Sequence, residues 1–379
     1  MKNQKICIIG EGLTGLTTCL ALKDQNLDID LYFSSSKNRK VDKRITAISE
    51  SNYSFLNEIG KKLNSKLFWP CKKINLYYEK NNELFNFLNF NKDGKNLMYI
   101  FENQKLKKEL IKLLKNKSIK FKNKKIEKVN ADEGYIKFNN KKSYYDLIIL
   151  CLGAKSPLYK DVINNRSINK DYNEVAITGY INHKSKLINP RQYFLQEGPL
   201  AFLPFNKKSF SFVWSLDRNF YLKNKINLKK MVFKKIKKIF SQKKNFKISE
   251  IFSYPIQLNL RKNYYKNNVL ILGEGLHSVH PIAGQGFNLV LRDVNKLSSL
   301  ILKNLKLGLT IKNSYLLSEF CEQRKFENIL ISLGIDLTNT FFKRNKFFDP
   351  FKNVVLSNIA KSENIKKFSK IFSDKGISI

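Results

Sequence analysis

The feature of this sequence that most constrains its fold is a set of three glycines between a short apolar segment and a helical pattern: Gly10, Gly12 and Gly15. Residues 6–9 have the continuous apolar character of a buried parallel strand, and residues 13–23 carry apolar side chains at helical spacing. A second β-type run at 29–33 completes a βαβ unit. Glycines in this order allow a tight turn, close backbone approach to a pyrophosphate and close packing of helix on strand. The segment predicts a Rossmann-like start that binds a dinucleotide.

The end of the second predicted strand departs from this pattern. Folds of this kind usually place an acidic side chain there to hold the adenosine ribose hydroxyls, but this chain has Phe33 and Ser34. Asp30 lies inside the strand, where its carboxylate is poorly placed for a ribose. We therefore expect the hydroxyls of Ser34, Ser35 and Ser36 to take this weaker role.

Charge and cysteine content narrow the function only slightly. The formal net charge of +39 is typical of proteins that bind nucleic acid or anionic membranes. The excess is spread along the chain and no nucleic-acid-binding module is recognisable, so we expect no nucleic acid partner. The five widely spaced cysteines lack a Cys-x-x-Cys pair, which argues against disulfides or a zinc site. With no leader or spanning segment expected, a cytoplasmic protein is predicted.

The most specific segment is residues 273–289, where a buried strand leads through a proline-containing loop to a helix that begins near Phe287. Gly284 and Gly286 lie at the mouth of this helix. Glycines there let backbone N–H groups approach an electron-rich acceptor such as a reduced flavin ring, whose charge the helix dipole favours. His277 and His280 have no third ligand nearby, so we expect structural histidines and no metal.

With this loop and helix, the sequence resembles the flavin-dependent aromatic hydroxylases of ubiquinone biosynthesis, relatives of para-hydroxybenzoate hydroxylase. Residues 280–293 are similar to the family's flavin-ring loop and the helix that follows it. Further landmarks occur in the family's order: residues 42–49, 99–103, 198–204, 211–214 and 322–328. The resemblance extends over about residues 5–335.

The resemblance implies a monooxygenase that binds FAD, takes electrons from NADH or NADPH, and uses O2 through a C4a-hydroperoxyflavin to hydroxylate a polyprenylated phenol or benzoquinol. It implies a flavin-ring environment made by Pro281, Gly284 and Gln285, with no general base assigned. The FAD contacts expected on this basis are Gly10, Gly12, Gly15, Ser34, Arg44, Asn103, Glu274, Gly284, Gln285, Gly286 and Asn288.

Parallel βα patterns interrupted by antiparallel ones predict an α/β protein. We expect a discontinuous Rossmann-like FAD-binding domain, an inserted, mostly antiparallel β-sheet substrate domain, and C-terminal helices. The expected FAD-binding segments are 1–72, 97–175 and 262–305. The expected substrate-domain segments are 73–96 and 176–261, and the C-terminal helical region is 306–379.

Three departures from the family keep alternatives open. Leu152-Gly153 stands where the family has Asp-Gly, Glu274 replaces an aspartate, and the acid after the second strand is absent. The loss at Leu152 puts the use of NAD(P)H in doubt and favours a structural FAD-binding member of a ubiquinone-biosynthesis complex without turnover. The intact glycine loop at 284–286 opposes that alternative. A hydroxylase of another phenolic substrate is also consistent with the sequence.

A polyprenyl substrate would need apolar surroundings. Two sets of residues could provide them, and each set has a second interpretation. Four aromatic residues are either a cavity lining or plain core: Phe194, Phe202, Phe212 and Trp214. The basic helix predicted over 228–240 and the stretch 341–351 are either lipid-facing or solvated. In the lipid-facing reading, the partners include the inner membrane surface and other ubiquinone-biosynthesis proteins.

Overall fold

The structure is a computed structural model. It describes residues 3–34, 42–61, 63–91, 94–115, 119–160, 167–183, 188–240, 246–312, 314–343 and 352. The helices in these residues are α1 (Leu13–Leu22), α2 (Glu50–Gly60), α3 (Asn103–Lys115), α4 (Arg218–Asn224), α5 (Leu228–Phe240), α6 (Gly286–Lys306) and α7 (Ser314–Phe342). Short 3-10 turns lie at Ser65–Leu67, Pro157–Tyr159, Gly273–Gly275 and Pro281–Ala283.

The strands of the first half of the described chain are β1 (Lys5–Ile9), β2 (Asp28–Phe33), β3 (Ile45–Ser49), β4 (Trp69–Cys71), β5 (Lys73–Lys80), β6 (Glu83–Asn91), β7 (Met98–Glu102), β8 (Ile119–Asn123), β9 (Lys128–Asn130), β10 (Tyr135–Phe138), β11 (Lys141–Tyr144) and β12 (Leu147–Leu150). Those of the second half are β13 (Ser167–Asn182), β14 (Arg191–Leu195), β15 (Gly198–Asn206), β16 (Ser209–Asp217), β17 (Lys247–Ile248), β18 (Phe252–Arg261), β19 (Tyr265–Lys266), β20 (Val269–Ile271) and β21 (His277–Ser278).

A six-stranded sheet in the order β19-β20-β12-β1-β2-β8 forms the first layer. All its strands are parallel except the edge strand β19. The apolar runs of β1 and β12 are buried in one cluster with α1, α3, α6 and the β9–β11 meander, as continuous apolar strands of parallel sheets usually are. The chain leaves β1 for β2 on one side and returns for β12 on the other. This creates the switch point at which such sheets bind ligands.

A second sheet carries the alternating segments predicted as antiparallel. Its order is β21-β18-β13-β16-β15-β14-β5-β6, with β17 paired to β13, and its neighbours are antiparallel except β14 and β5. A small sheet, β3-β7-β4, lies between the two large ones, and its cluster includes Tyr180, Leu203 and Phe205 of the second sheet. The predicted fold class is confirmed: a Rossmann-like α/β domain with an inserted, mostly antiparallel sheet.

The strand β13 crosses the predicted division between residues 175 and 176. It begins at Ser167 and has a bulge between Asp171 and Glu174. The bulge interrupts the apolar and polar alternation on which the prediction rested, so the first half of the strand does not show the period of the second. The second sheet therefore extends further toward the N-terminus than the sequence pattern indicated.

The faces of the second sheet settle how its aromatic residues are used. Phe202, Phe212 and Trp214 are fully buried in a cluster with Val232 and Ile236 of α5. Phe194 lies in another buried cluster, where it stacks on Phe342 with ring centroids 3.5 Å apart. The reading of Phe202, Phe212 and Trp214 as a cavity lining is therefore wrong, because their strand face points into a closed core. Phe194 lies on the opposite face of the sheet, in a cluster with Ile282 of the flavin-ring loop.

Helix α5 coincides with the basic helix predicted over residues 228–240, and its apolar face is already occupied by the second sheet. Lys235 on this helix lies between two carboxylates: its Nζ is 3.2 Å from Glu79 Oε1 and 2.8 Å from Glu197 Oε2. The apolar face of α5 is thus not available to a bilayer. The most exposed residues of α5 are its lysines.

Replacing Lys235 with Met should lower the stability of the protein strongly. Glu79 is only 5% exposed, and removal of one partner from a buried ion pair typically costs about 3–5 kcal/mol. The measurement is urea-induced unfolding of wild type and variant. Lys238→Met, an exposed lysine of the same helix, is the control and should change the free energy of unfolding by less than about 0.5 kcal/mol. Equal stabilities for the two variants would contradict the buried role of Lys235.

Candidate functional site

Three loops meet at the carboxyl edge of the six-stranded sheet. Ile9, Leu150 and Ile271 stand side by side in the pairing register of β1, β12 and β20, so the segments that follow them leave the sheet at the same place. These segments hold the first glycine set, the Leu152-Gly153 pair and the Gly273–Gly275 turn. The parallel register therefore brings together sequence motifs that are far apart in the chain.

The turn from β1 to α1, called the first corner, contains Gly10, Gly12 and Gly15. These glycines have different structural roles. Gly10 has φ +122°, and a Cβ at this position would collide with the carbonyl oxygen of Cys151. A Cβ at Gly15 would collide with the carbonyl oxygen of Gly10. Gly12, by contrast, has nothing within 4 Å of the place its Cβ would take, and it starts α1 without a side-chain cap. Gly10 and Gly15 hold the corner together, and Gly12 leaves the helix N-terminus open to a ligand.

The turn of residues 284–286 at the start of α6, called the second corner, also combines a left-handed glycine with an open helix N-terminus. Gly284 is left-handed with φ +60°, and the space around a Cβ at Gly286 is empty. Gln285 precedes α6 without capping it, and its buried Oε1 atom has no hydrogen-bond partner in the described part of the chain. A buried amide oxygen without a partner costs free energy unless a ligand satisfies it. Two uncapped helix starts and this free oxygen are the features expected of a flavin nucleotide site, so the residues fit FAD.

The segment from Arg44 through β3 connects the two corners. The guanidinium of Arg44 donates to both carboxylate oxygens of Asp42 at 2.9 and 3.0 Å, and to Glu274 Oε1 at 3.2 Å. Burial works against the charge on Arg44, but the bond to Asp42 and the charge of Glu274 outweigh it and raise its pKa. At the other end of β3, Ser49 lies against the second corner. Predicted FAD contacts Arg44 and Glu274 thus lie side by side at the first corner.

Two predicted FAD contacts, Asn288 and Asn103, use their side chains within the protein. The amide of Asn288 donates to the carbonyls of Ala47 and Gly284 and accepts from Ser49 N and Asn52 Nδ2 at 2.9 and 2.8 Å. These four bonds exhaust its capacity, so a side-chain contact with FAD is not what the structure shows.

Asn103 also supports the site from within. Its Oδ1 accepts from Thr46 Oγ1 at 2.6 Å, and its Nδ2 donates to Asp42 Oδ2 at 3.0 Å. Asn103 therefore fixes the carboxylate that holds Arg44. Both asparagines lie beside the glycine corners, and a contact of either one with FAD stays a prediction.

The adenosine end of the expected site is only partly described. Ser34 is exposed directly after β2, while Ser35 and Ser36 lie outside the described residues. The carboxylate of Asp30 is already hydrogen-bonded within the protein, because Lys122 Nζ and Tyr145 OH both donate to its Oδ2 at 2.6 Å. Its carboxylate is thus used inside the fold, in agreement with the expectation that it does not reach a ribose.

Leu152 stands where the family has an aspartate, and its surroundings are defined by apolar packing and by backbone hydrogen bonds. Leu152 packs against the main core, and its carbonyl oxygen accepts from Tyr159 OH at 2.7 Å. Arg261 lies over the Tyr159 ring and donates from Nε to the carbonyl of Gly275 at 2.6 Å. The Leu152 side chain thus packs with apolar neighbours, and the hydrogen bond from Tyr159 uses the backbone and does not depend on the side chain at this position.

Both histidines of the loop are buried against carboxylates. His277 Nε2 is 2.6 Å from Asp293 Oδ2, and His280 Nε2 is 2.6 Å from Glu174 Oε2. Arg324 on α7 also donates to Asp293, at 2.6 Å. Sequence reasoning noticed Arg324 in the late helix but missed both carboxylate partners, because the contacts join distant segments. No group of three potential metal ligands occurs among the residues that the structure describes.

The loop that carries Pro281 faces the second sheet. The 3-10 turn Pro281–Ala283 packs on β15 and β16, whose residues on this side of the sheet form two cross-strand rows with β13. These rows are Thr178, Val213 and Ala201, and Tyr180, Ser211 and Leu203. Val213, Ala201 and Leu203 remain partly exposed. This face, opposite the aromatic core, is where a substrate ring can lie against a bound flavin.

Replacing Gly12 with Val should abolish FAD retention while leaving the protein folded. The added side chain meets open space in the protein, so the clash falls on the ligand phosphates. The measurement is FAD content after gel filtration, together with the circular dichroism melting curve. Gly15→Val is the contrasting variant, since its Cβ strikes the backbone and should lower the melting temperature. Normal FAD occupancy in Gly12→Val would show that the first corner does not hold the phosphates.

Comparison with known proteins agrees with this geometry. Residues 147–309 match the family model described as "FAD binding domain". The ubiquinone biosynthesis monooxygenase COQ6 of Dictyostelium discoideum is 26% identical, over 96% of this chain and 92% of its own length. The 3-demethoxyubiquinol 3-hydroxylase of Escherichia coli is 28% identical over 41% of this chain and 40% of its own.

Solved structures show the same fold. The p-nitrophenol 4-monooxygenase of Pseudomonas putida superposes with a TM-score of 0.80 at 14% identity, over 100% of this chain and 99% of that one. At such identity the likeness concerns the fold alone, and it covers both large sheets. The chain is therefore an FAD-dependent monooxygenase, and its resemblance to the aromatic hydroxylases of ubiquinone biosynthesis is confirmed.

Proposed function

We propose that this protein hydroxylates the aromatic ring of a polyprenylated phenol or benzoquinol in ubiquinone biosynthesis, using FAD and O2. The observation that carries the proposal is the pair of uncapped glycine corners that the segment from Arg44 through β3 connects, with the Thr178 and Tyr180 rows of the second sheet opposite the second corner. Similarity to the Dictyostelium enzyme over nearly the whole chain supports the same reaction class.

The chain's own residues bind and orient. The first turn of α1, opened by Gly12, offers backbone N–H groups to the phosphates, and Arg44 adds a cation held in place by Asp42. The start of α6 offers N–H groups and its positive dipole end to the ring, beside Gln285. Bound FAD supplies the electron transfer and oxygen activation that no side chain can. The face of β15 and β16 that packs on the Pro281–Ala283 turn would shield a bound ring from water.

The substrate face indicates what kind of ring it accepts. Along β13, β15 and β16 it carries apolar side chains and four hydroxyls, those of Thr178, Tyr180, Ser211 and Ser215. Ser211 Oγ already donates to the carbonyl of Gly179 at 3.3 Å. Glu174, on the same face of β13, is occupied by His280. A neutral, electron-rich phenol suits such a face better than a carboxylated one, which would need a cation there.

The experiment is oxidation of NADH or NADPH by the FAD-loaded protein in the presence of polyprenylated phenols. We expect the phenol to stimulate oxidation and to gain one atom of oxygen from labelled O2, detected by mass spectrometry. Gly12→Val is the matched control and should be inactive. A yellow protein that both nicotinamides and protein donors fail to reduce would instead favour the structural FAD-binding member of a biosynthetic complex. Hydroxylation of unprenylated phenols only would favour another phenolic substrate.

We also propose that the chain works on a membrane surface, in contact with other ubiquinone-biosynthesis proteins, because a polyprenyl tail partitions into lipid. No helix in the described residues is long and apolar enough to cross a bilayer. Helix α7 exposes Phe326, Leu333 and Leu337 at 55%, 49% and 69%. In a chain with 70 Lys and Arg, residues 326–342 contain neither. An exposed apolar face without cations inside it, in a basic protein, is suited to lipid.

Exchanging Leu333 and Leu337 together for Glu should weaken binding to anionic lipid vesicles by about tenfold or more, because each leucine contributes about 1.5–3 kcal/mol when it leaves water. The measurement is vesicle co-sedimentation at physiological salt. The control is Ile226→Glu, which adds negative charge at a fully exposed apolar residue outside α7. A similar loss in that control would attribute binding to net charge and not to the α7 face.

A further inference from the structure

The bulge in β13 directs a carboxylate toward the flavin-ring loop. Asn173 in the bulge has φ +55°, and its N–H is held by Asp171 Oδ1 at 2.9 Å. Arg218 binds the same carboxylate at 2.9 and 3.1 Å. Because the bulge shifts the register, Glu174 shares its strand face with Ala176 and Thr178, the face that meets the FAD-binding domain.

Glu174 is ionised and fully engaged at this place. It is only 4% exposed, and its Oε2 lies 2.6 Å from His280 Nε2. Its Oε1 accepts from Asn339 Nδ2 at 3.4 Å and pairs with Lys343 at the end of α7. Burial alone would raise the pKa of Glu174, but the bonds from His280 and Lys343 outweigh it and lower the pKa. The pair therefore joins a carboxylate to an imidazole.

His280 connects Glu174 to the flavin-ring loop. Its Nδ1 accepts from the backbone N–H of Ile282 at 3.2 Å, which caps the turn Pro281–Ala283. An acceptor nitrogen at Nδ1 requires the proton on Nε2, where it is donated to Glu174. The ring is fully buried, and the edge of Tyr172 packs on it with centroids 5.1 Å apart. The tautomer and the orientation of His280 are thus both fixed.

The same strand is tied to the FAD-binding domain at its other end. Tyr180, on the face of Glu174, donates from its hydroxyl to the carbonyl of Lys43, next to Arg44. One strand therefore contacts the segment at the first glycine corner and the loop at the second. On this face of β13, the residues between Glu174 and Tyr180 are Ala176 and Thr178, and both side chains are small.

We propose that Glu174 and His280 are positioning residues that hold the flavin-ring loop in its binding geometry. This inference rests on the proposed function, since it assumes that FAD occupies the loop. Neither residue is placed to react with the substrate. Their role is to keep the turn at Pro281 and the start of α6 in register with the substrate face.

The first test measures the tautomer of His280 and needs no FAD. The chain has three histidines, so the ¹⁵N-histidine spectrum contains few signals, which His→Gln variants assign. We expect the Nε2–H tautomer for His280 in the apoprotein, a shifted Nε2 signal in Glu174→Gln, and loss of the fixed tautomer in Glu174→Ala. A Nδ1–H tautomer in wild type, or an unchanged signal in Glu174→Ala, would overturn the proposal.

The second test measures FAD affinity and the visible spectrum of bound flavin. Glu174→Ala and His280→Ala should raise the Kd for FAD about tenfold and alter the spectrum. Glu174→Gln, whose amide oxygen still accepts from Nε2–H, should stay within about threefold of wild type. The control is Glu79→Ala, a carboxylate of the same sheet with 5% exposure that is paired with Lys235 and lies away from the loop. It should destabilise the fold yet leave FAD affinity within about twofold.

The two tests separate failure of this inference from failure of the proposed function. Equal FAD affinity in Glu174→Ala and wild type, with normal FAD binding, would overturn the positioning role alone. Equal weakening by Glu79→Ala would show that affinity follows global stability and would overturn it as well. Absence of FAD binding in wild type, with the expected His280 tautomer, would remove the proposed function and with it the link between the pair and the cofactor.

Discussion

The site depends on the close approach of two backbones, that of Gly10 at the end of β1 and that of Cys151 at the end of β12. No side chain fits between them, since a Cβ on Gly10 would strike the Cys151 carbonyl oxygen. This contact sets the spacing of the two central strands where they end. It also fixes the start of α1 relative to the turn at Gly273, where a Cβ would meet the side chain of Thr14. The remaining loops are built around this edge.

The structure uses polar side chains mainly to support this arrangement. Asn288, Asn103 and Asp42 form their hydrogen bonds with neighbouring segments. The groups left for a ligand at the two corners include the backbone N–H groups at the starts of α1 and α6, the Arg44 guanidinium and the buried Gln285 Oε1 atom. Buried amides satisfied on every side define a single geometry, because any displacement leaves several groups without partners. This explains why a flavin site contains few residues that resemble a catalytic set.

Local patterns in the sequence predicted much of this fold. Both glycine corners, the strands β1, β12 and β20, the helix α5 and the alternating strands of the second sheet follow from spacing and apolar runs. The pairing of Glu174 with His280 could not be predicted, since it joins residues far apart through a bulge that breaks the strand period. Alternation showed that β15 and β16 have two faces but not which one meets the flavin, and so Phe202 and Trp214 were candidates for the wrong face. Leu152 illustrates the same limit, because the core against which it packs is assembled from segments far apart in the chain.

The attachment of β13 at both ends has a dynamic consequence. Glu174 binds His280, and Tyr180 binds the Lys43 carbonyl. A hinge motion that separates the second sheet from the FAD-binding domain would therefore break hydrogen bonds at both ends of β13. Local displacement of the ligands or of single loops would let substrate enter and product leave without breaking these bonds.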